Sequence, residues 1–195
     1  TIRAHRWAAI GVPLLLIGYI GFAIYQSQFT DFYISMLMTV QGSYLAVHYT
    51  GQAWGMIATY TALDGRSFQP LERRLIRGGL YVMLAWHVVW FFRYAYDTTR
   101  FAPTFTALYD LVSLVTALAV VAGAAGFVRL KVRTGRWPPP RALIPWVAIF
   151  IWYAAIGRDP RAIFWVQIAH ALQYLMFPVR VEINRTVRAG GERGA

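Results

Sequence analysis

Three histidines stand inside long apolar stretches of this chain: His48, His87 and His170. His48 and Gln52 are four residues apart, one helical turn, so they face the same way. His87 follows Trp86 and precedes Trp90, and His170 stands three residues before Gln173. Ionisable side chains within membrane segments are costly to bury and mark function. Three neutral imidazoles can bind iron, zinc or copper and leave positions open for a substrate. In this reading His48, His87 and His170 are the metal ligands, and non-haem iron is the expected metal. A ligand histidine needs an acceptor on its other ring nitrogen, and Gln52, Gln167, Gln173 and Asp110 are the candidates, Asp110 being placed nearer the outer face. The substrate would enter from the lipid. Tyr44, Tyr49, Trp54, Trp86, Trp90, Trp165 and Tyr174 would line an apolar tunnel for it. Oxygen chemistry on an isoprenoid or acyl chain fits such a centre, which would make the chain a metal-dependent oxidoreductase or oxygenase.

The same residues admit a second chemistry. A b-type haem takes two axial histidines from facing helices, and His48 with His87 would serve. One histidine alone can ligate a chlorophyll magnesium. Gln52, Trp86, Trp90 and Gln173 then surround a haem, chlorophyll, carotenoid or quinone in a non-catalytic subunit of a respiratory or photosynthetic complex. The plainest alternative is packing, since a buried histidine can hydrogen-bond across helices as Gln and Thr do. His5, near the start of the chain, is assigned no role.

Composition bounds these choices. The 195 residues are 58% hydrophobic, 16% aromatic and 14% charged, against about 25% charged residues in a soluble domain. The apolar residues come in runs near the ~20 needed for a transmembrane helix. There is no cysteine, which excludes disulfides, iron–sulfur clusters and thiolate metal sites. The formal net charge of +11 would suggest nucleic acid in a soluble protein. Here the arginines cluster between apolar runs, so membrane topology explains them and no nucleic-acid partner is expected. The expected partners are membrane lipids, a lipophilic small molecule and other membrane subunits. Basic loops can also hold anionic lipid heads.

The elements that must position the histidines read as an all-α bundle of six transmembrane helices. Helix one is expected over 7–26, with Pro13 in its first two turns kinking it mildly. Its first apolar run lacks a small-residue cleavage pattern and reads as a retained helix. Helix two spans 32–63, about 48 Å at 1.5 Å per residue, which exceeds a ~30 Å hydrocarbon core. It must tilt, break or project, and Gly42, Gly51 and Gly55 offer places to bend. A loop over 64–77 carries Arg66, Arg73, Arg74 and Arg77. Helix three follows over 78–96, with an expected ion pair between Arg93 and Asp97. Helix four spans 104–128, and its second half is rich in Ala and Gly, suited to close helix approach inside the bundle or against another subunit. A basic loop over 129–141 ends in the stiff run Pro138-Pro139-Pro140. Helices five and six cover 142–156 and 162–179. The bundle is taken as one unit to residue 182, followed by a polar, flexible tail over 183–195.

Charge sets the orientation. With the N-terminus inside, fifteen of the nineteen Lys and Arg fall on inside segments and four outside, which places both termini in the cytoplasm of a bacterial inner membrane. Depth follows from the same numbering. His48, His87 and His170 all fall near the membrane midplane.

The pair of motifs His48-Tyr49-x-x-Gln52-x-x-Gly55 and His170-x-x-Gln173-Tyr174 resembles motifs of bacterial polytopic membrane proteins. It is also similar to the Brp/Blh family, multi-helix membrane enzymes that cleave β-carotene to retinal with histidine-bound iron. The likeness covers about fifteen residues in two places. The paired His-rich motifs of that family are missing and the chain is shorter. The resemblance implies that His48 and His170 carry the metal; His87 joins them by depth, matching no motif.

Overall fold

A computed structural model describes residues 10–172. All regular structure there is helical: α1 Val12–Gln26, α2 Phe32–Leu63, α3 Pro70–Ala95, α4 Ala102–Thr134 and α5 Pro140–Arg158, then the shorter α6 Ala162–Leu172. The chain divides into two compact units, Thr1–Val147 and Ala148–Ala195. The first holds α1 to α4 and the start of α5; the second holds the rest of α5 and α6. Gln173, Tyr174, His5 and the expected tail over 183–195 lie outside the described residues.

The helix ends have local causes. The α2 helix covers the expected residues and runs without interruption, so its glycines do not break it. Pro13 lies in the first turn of α1, where its missing N–H costs no hydrogen bond. The α3 helix begins eight residues earlier than expected. Gln69 and Glu72 form a reciprocal capping box and Pro70 occupies the first turn, which together satisfy the free N–H groups of a helix start. Arg73, Arg74 and Arg77 are therefore helical rather than in a loop. The α4 helix runs six residues past the expected end and stops at Gly135, whose φ of 75° gives the left-handed cap that glycine adopts without strain. Lys131 and Arg133 in its last turn complement the helix dipole.

In the first unit α3 is the central helix, packed on α4 and on α2, while α1 leans on α2. Its buried positions recur at helical spacing: Ile76, Gly79, Leu80, Met83, Trp86, His87 and Trp90. The small residues of α4 are used internally. A Cβ on Gly79 would stand 3.0 Å from the Ala119 carbonyl oxygen, and one on Gly126 would stand 2.8 Å from Ile76. Gly123 likewise makes room for Trp146. Close backbone approach of this kind holds helices together where lipid supplies no hydrophobic drive.

The outward faces are apolar. Leu111, Leu114, Leu118 and Val121 make an exposed stripe on α4, and Leu14, Leu15 and Ile17 stand exposed on α1. Helices α3, α4 and α5 are each long and apolar enough to cross a membrane. The α2 helix has the length, but Gln41, Ser43, His48, Thr50, Gln52, Thr59 and Thr61 dilute its apolar character.

One end of the unit is tied by charge. Arg133 donates from Nε to Glu72 Oε1 at 2.8 Å, from Nη2 to Glu72 Oε2 at 2.9 Å and to the Ser67 carbonyl at 2.6 Å. The Glu72 side chain is fully buried and also accepts the Gln69 backbone N–H at 2.8 Å. Arg66 pairs with Asp64 and donates to the carbonyls of Arg136 and Trp137 at 2.8 and 2.9 Å. The expected Arg93–Asp97 pair is not among the ion pairs of the described residues. The helix ends at Ala95, before the register needed for an i,i+4 contact is complete, and Arg93 lies instead over the Tyr109 ring at 4.5 Å.

Candidate functional site

The α2 helix turns a strip of Gly42, Ala46, Tyr49 and Ala53 toward the interior. The small members of that strip leave space that α3 fills. A Cβ on Gly42 would fall 2.5 Å from the Phe91 ring, so only glycine lets Phe91 lie there. Phe91 in turn stacks flat on His87, with centroids 5.1 Å apart and planes at 12°. His87 is 1% exposed. Further ring neighbours include Tyr49 at 6.5 Å and Trp90 at 6.2 Å.

His48 stands one residue before Tyr49 and is half-buried. Its ring stacks on Tyr44 at 5.8 Å and lies 6.0 Å from Tyr49. Tyr49 therefore touches both histidines. The array continues from Trp90 to Trp86, stacked at 6.5 Å, and from Trp86 to Tyr109 of α4 at 5.4 Å. The Trp86 Nε1–H donates to Ser113 Oγ at 2.9 Å, and the Ser113 hydroxyl donates to the Tyr109 carbonyl at 2.7 Å. One continuous set of rings thus crosses three helices and includes two imidazoles. The Gln52 Oε1 atom, one turn from His48, is enclosed and has no hydrogen-bond partner among the described residues. A buried acceptor left unmatched is costly and is suited to a donor from a bound molecule.

The structure groups His87, Trp86 and Trp90 on α3, places His48 and His87 each beside Tyr49, and keeps Gln52 on the His48 face of α2. His170 is buried on α6, in the second unit. Asp110 is exposed on α4, away from any role in holding a buried imidazole. Trp54 packs on Phe68 at 5.7 Å and lies beneath Arg73 and Arg77, each 5.7 Å from its ring, an arrangement that suits an interface residue. Trp165 is exposed. Among the described residues no group of three His, Cys, Asp or Glu is placed to hold a metal ion. Near Tyr49 the first unit offers two imidazoles, His48 and His87.

Sequence reading overlooked Phe91 and Ser113. The signal for Phe91 was present: Gly42, Ala46 and Ala53 repeat on the face of Tyr49, and a strip of small residues marks where a neighbouring helix inserts large ones. Outside the helical spans, the N–H groups of Arg161 hold the Asp159 carboxyl below the ordinary carboxylate range, which fixes the turn between α5 and α6. No protein-family model, no curated protein and no solved structure matches the chain.

Proposed function

We propose that this chain is a six-helix protein of the bacterial inner membrane, with both termini cytoplasmic, that binds a lipophilic ring-bearing molecule as a subunit of a larger membrane complex. The observation that carries this reading is the ring array from Tyr44 through His48, Tyr49 and His87 to Trp90 and Trp86. Stacked aromatic rings favour a flat conjugated partner such as a quinone, a carotenoid end ring, a chlorin or a haem. Two imidazoles and the enclosed Gln52 oxygen add the few polar groups that orient such a molecule.

A second reading is a metal-dependent enzyme acting on an isoprenoid or acyl chain, as the resemblance to the Brp/Blh family implies. What favours it is that His48 and His87, from two different helices, each have a ring close to Tyr49. Elemental analysis and a visible spectrum of protein purified from its native membrane in mild detergent separate the two. Pigment, haem or quinone absorption with larger subunits attached supports the first. Near-stoichiometric iron without a Soret band replaces it with the second. Neither metal nor chromophore leaves both histidines as packing residues.

A further inference from the structure

A groove of about 250 Å³ runs along the outer surface between α3 and α4. Its walls include Gly78 and Val82 on α3 and Val115, Leu118 and Ala122 on α4, and Arg74 stands among its lining residues as the one charged side chain. Gly78 has open space where a side chain would be, so the groove exists because this position lacks one. The stretch from Arg74 to Val82 is eight residues, about 12 Å of helix. The stripe of Val115, Leu118 and Ala122 on α4 meets Arg129 two turns further on. Gly126 approaches Leu75 and Ile76, so Arg74 and Arg129 fall at the same end of the helix pair. Neither is in an ion pair among the described residues, and Glu72, the nearby carboxylate, is held by Arg133 on both oxygens. Arg74 thus puts a charged, unpaired guanidinium at one end of a groove with apolar walls, with Arg129, which also acts on Glu72, beyond it.

We infer that this groove is a binding site for an anionic phospholipid, with an acyl chain against Gly78, Val82 and Ala122 and the phosphate at Arg74 and Arg129. The inference rests on the membrane reading above. Guanidinium groups suit phosphate oxygens because they donate in pairs, and basic residues at an inner leaflet draw anionic lipid. Apolar walls without a polar group below the arginine match a hydrocarbon chain and exclude a second headgroup.

The full chain is reconstituted in phosphatidylcholine nanodiscs doped with phosphatidylglycerol, and lipids retained after transfer to detergent are counted by native mass spectrometry. Arg74→Gln is expected to weaken phosphatidylglycerol retention about fivefold, which is ~1 kcal/mol for one basic residue at an anionic surface. Gly78→Leu, at a position where a Cβ meets open space, places a side chain in the groove and is expected to remove the retained lipid while the protein stays folded. Arg136→Gln, an exposed arginine outside the groove, is expected to leave retention unchanged. An equal loss in Arg136→Gln would make the effect a diffuse basic surface and overturn the site. Unchanged retention in Gly78→Leu would overturn it too. So would full competition by inorganic phosphate, which would make it a phosphate site without a chain. A dimer that Gly78→Leu dissociates would give the groove to a second copy of the chain. Failure of α3 to cross the bilayer, read by cysteine labelling, would sink the membrane reading itself, whereas equal retention of both lipids by a correctly inserted chain sinks only the lipid site.

Discussion

The Tyr49 ring lies 6.0 Å from His48 and 6.5 Å from His87, and so joins the histidine of α2 to the histidine of α3. Tyr49 is 4% exposed, so truncating it leaves a cavity in the interior of the unit. Tyr49→Ala is expected to cost about 3–5 kcal/mol, the range for truncating a buried aromatic residue. Tyr49→Phe keeps the ring and is expected to cost ~1 kcal/mol at most, the worth of one hydrogen bond. Thermal denaturation in detergent distinguishes them; equal losses would mean that the hydroxyl, not the ring, carries the contact.

His87 is the imidazole enclosed by this arrangement. His87→Ala is expected to remove bound chromophore or metal while α3 still forms, since the rest of its buried stripe is untouched. The readout is the visible spectrum and metal content of the purified variant beside its melting temperature. Cargo at the wild-type level in a folded variant would assign His87 to packing alone.

The ion pair at the end of the first unit predicts an order of effects. Glu72 is fully buried, whereas the Arg133 side chain is 32% exposed. Arg133→Gln takes two guanidinium hydrogen bonds from an enclosed carboxylate and is expected to be the more destabilising of the two changes. Glu72→Gln leaves an arginine that reaches water and keeps an acceptor for the Gln69 N–H, so ~1 kcal/mol is expected, the scale of a helix cap. Chemical denaturation of the two variants tests the order, and a larger loss in Glu72→Gln would contradict it.

Helix contact makes a second pair of opposite expectations. Gly126→Leu pushes a side chain into Ile76 and the Glu72 carbonyl and is expected to destabilise by about 1–3 kcal/mol or more through overpacking. Gly55→Leu meets open space and is expected to change stability by less than ~0.5 kcal/mol. Melting temperatures of the two, measured side by side, decide whether close α3–α4 approach holds this unit together.

Orientation is open to direct labelling because the chain has no cysteine of its own. A single cysteine at Thr98, between α3 and α4, is expected to react with an impermeant maleimide in intact cells. One at Ser67, between α2 and α3, is expected to react only after permeabilisation. Labelling of both from the same side would rule out α3 as a crossing helix.

Much of the architecture was legible before any coordinates. Apolar runs determine helices because in lipid every backbone group must be satisfied within its own segment, and the span Phe32–Leu63 was read directly from that pattern. What composition cannot specify is which face of one helix meets which face of another. Only the tertiary structure revealed that Gly42 admits Phe91, that Phe91 covers His87, and that Tyr49 links the two histidines. The early start of α3 has the same character: the expected loop over 64–77 becomes helix from Pro70 because Gln69 caps with Glu72, whose carboxylate Arg133, sixty-one residues on, holds. Local sequence determines periodicity and length. Close contacts between distant residues determine which polar groups end up dry, and that is what turns a histidine in an apolar run into a candidate site.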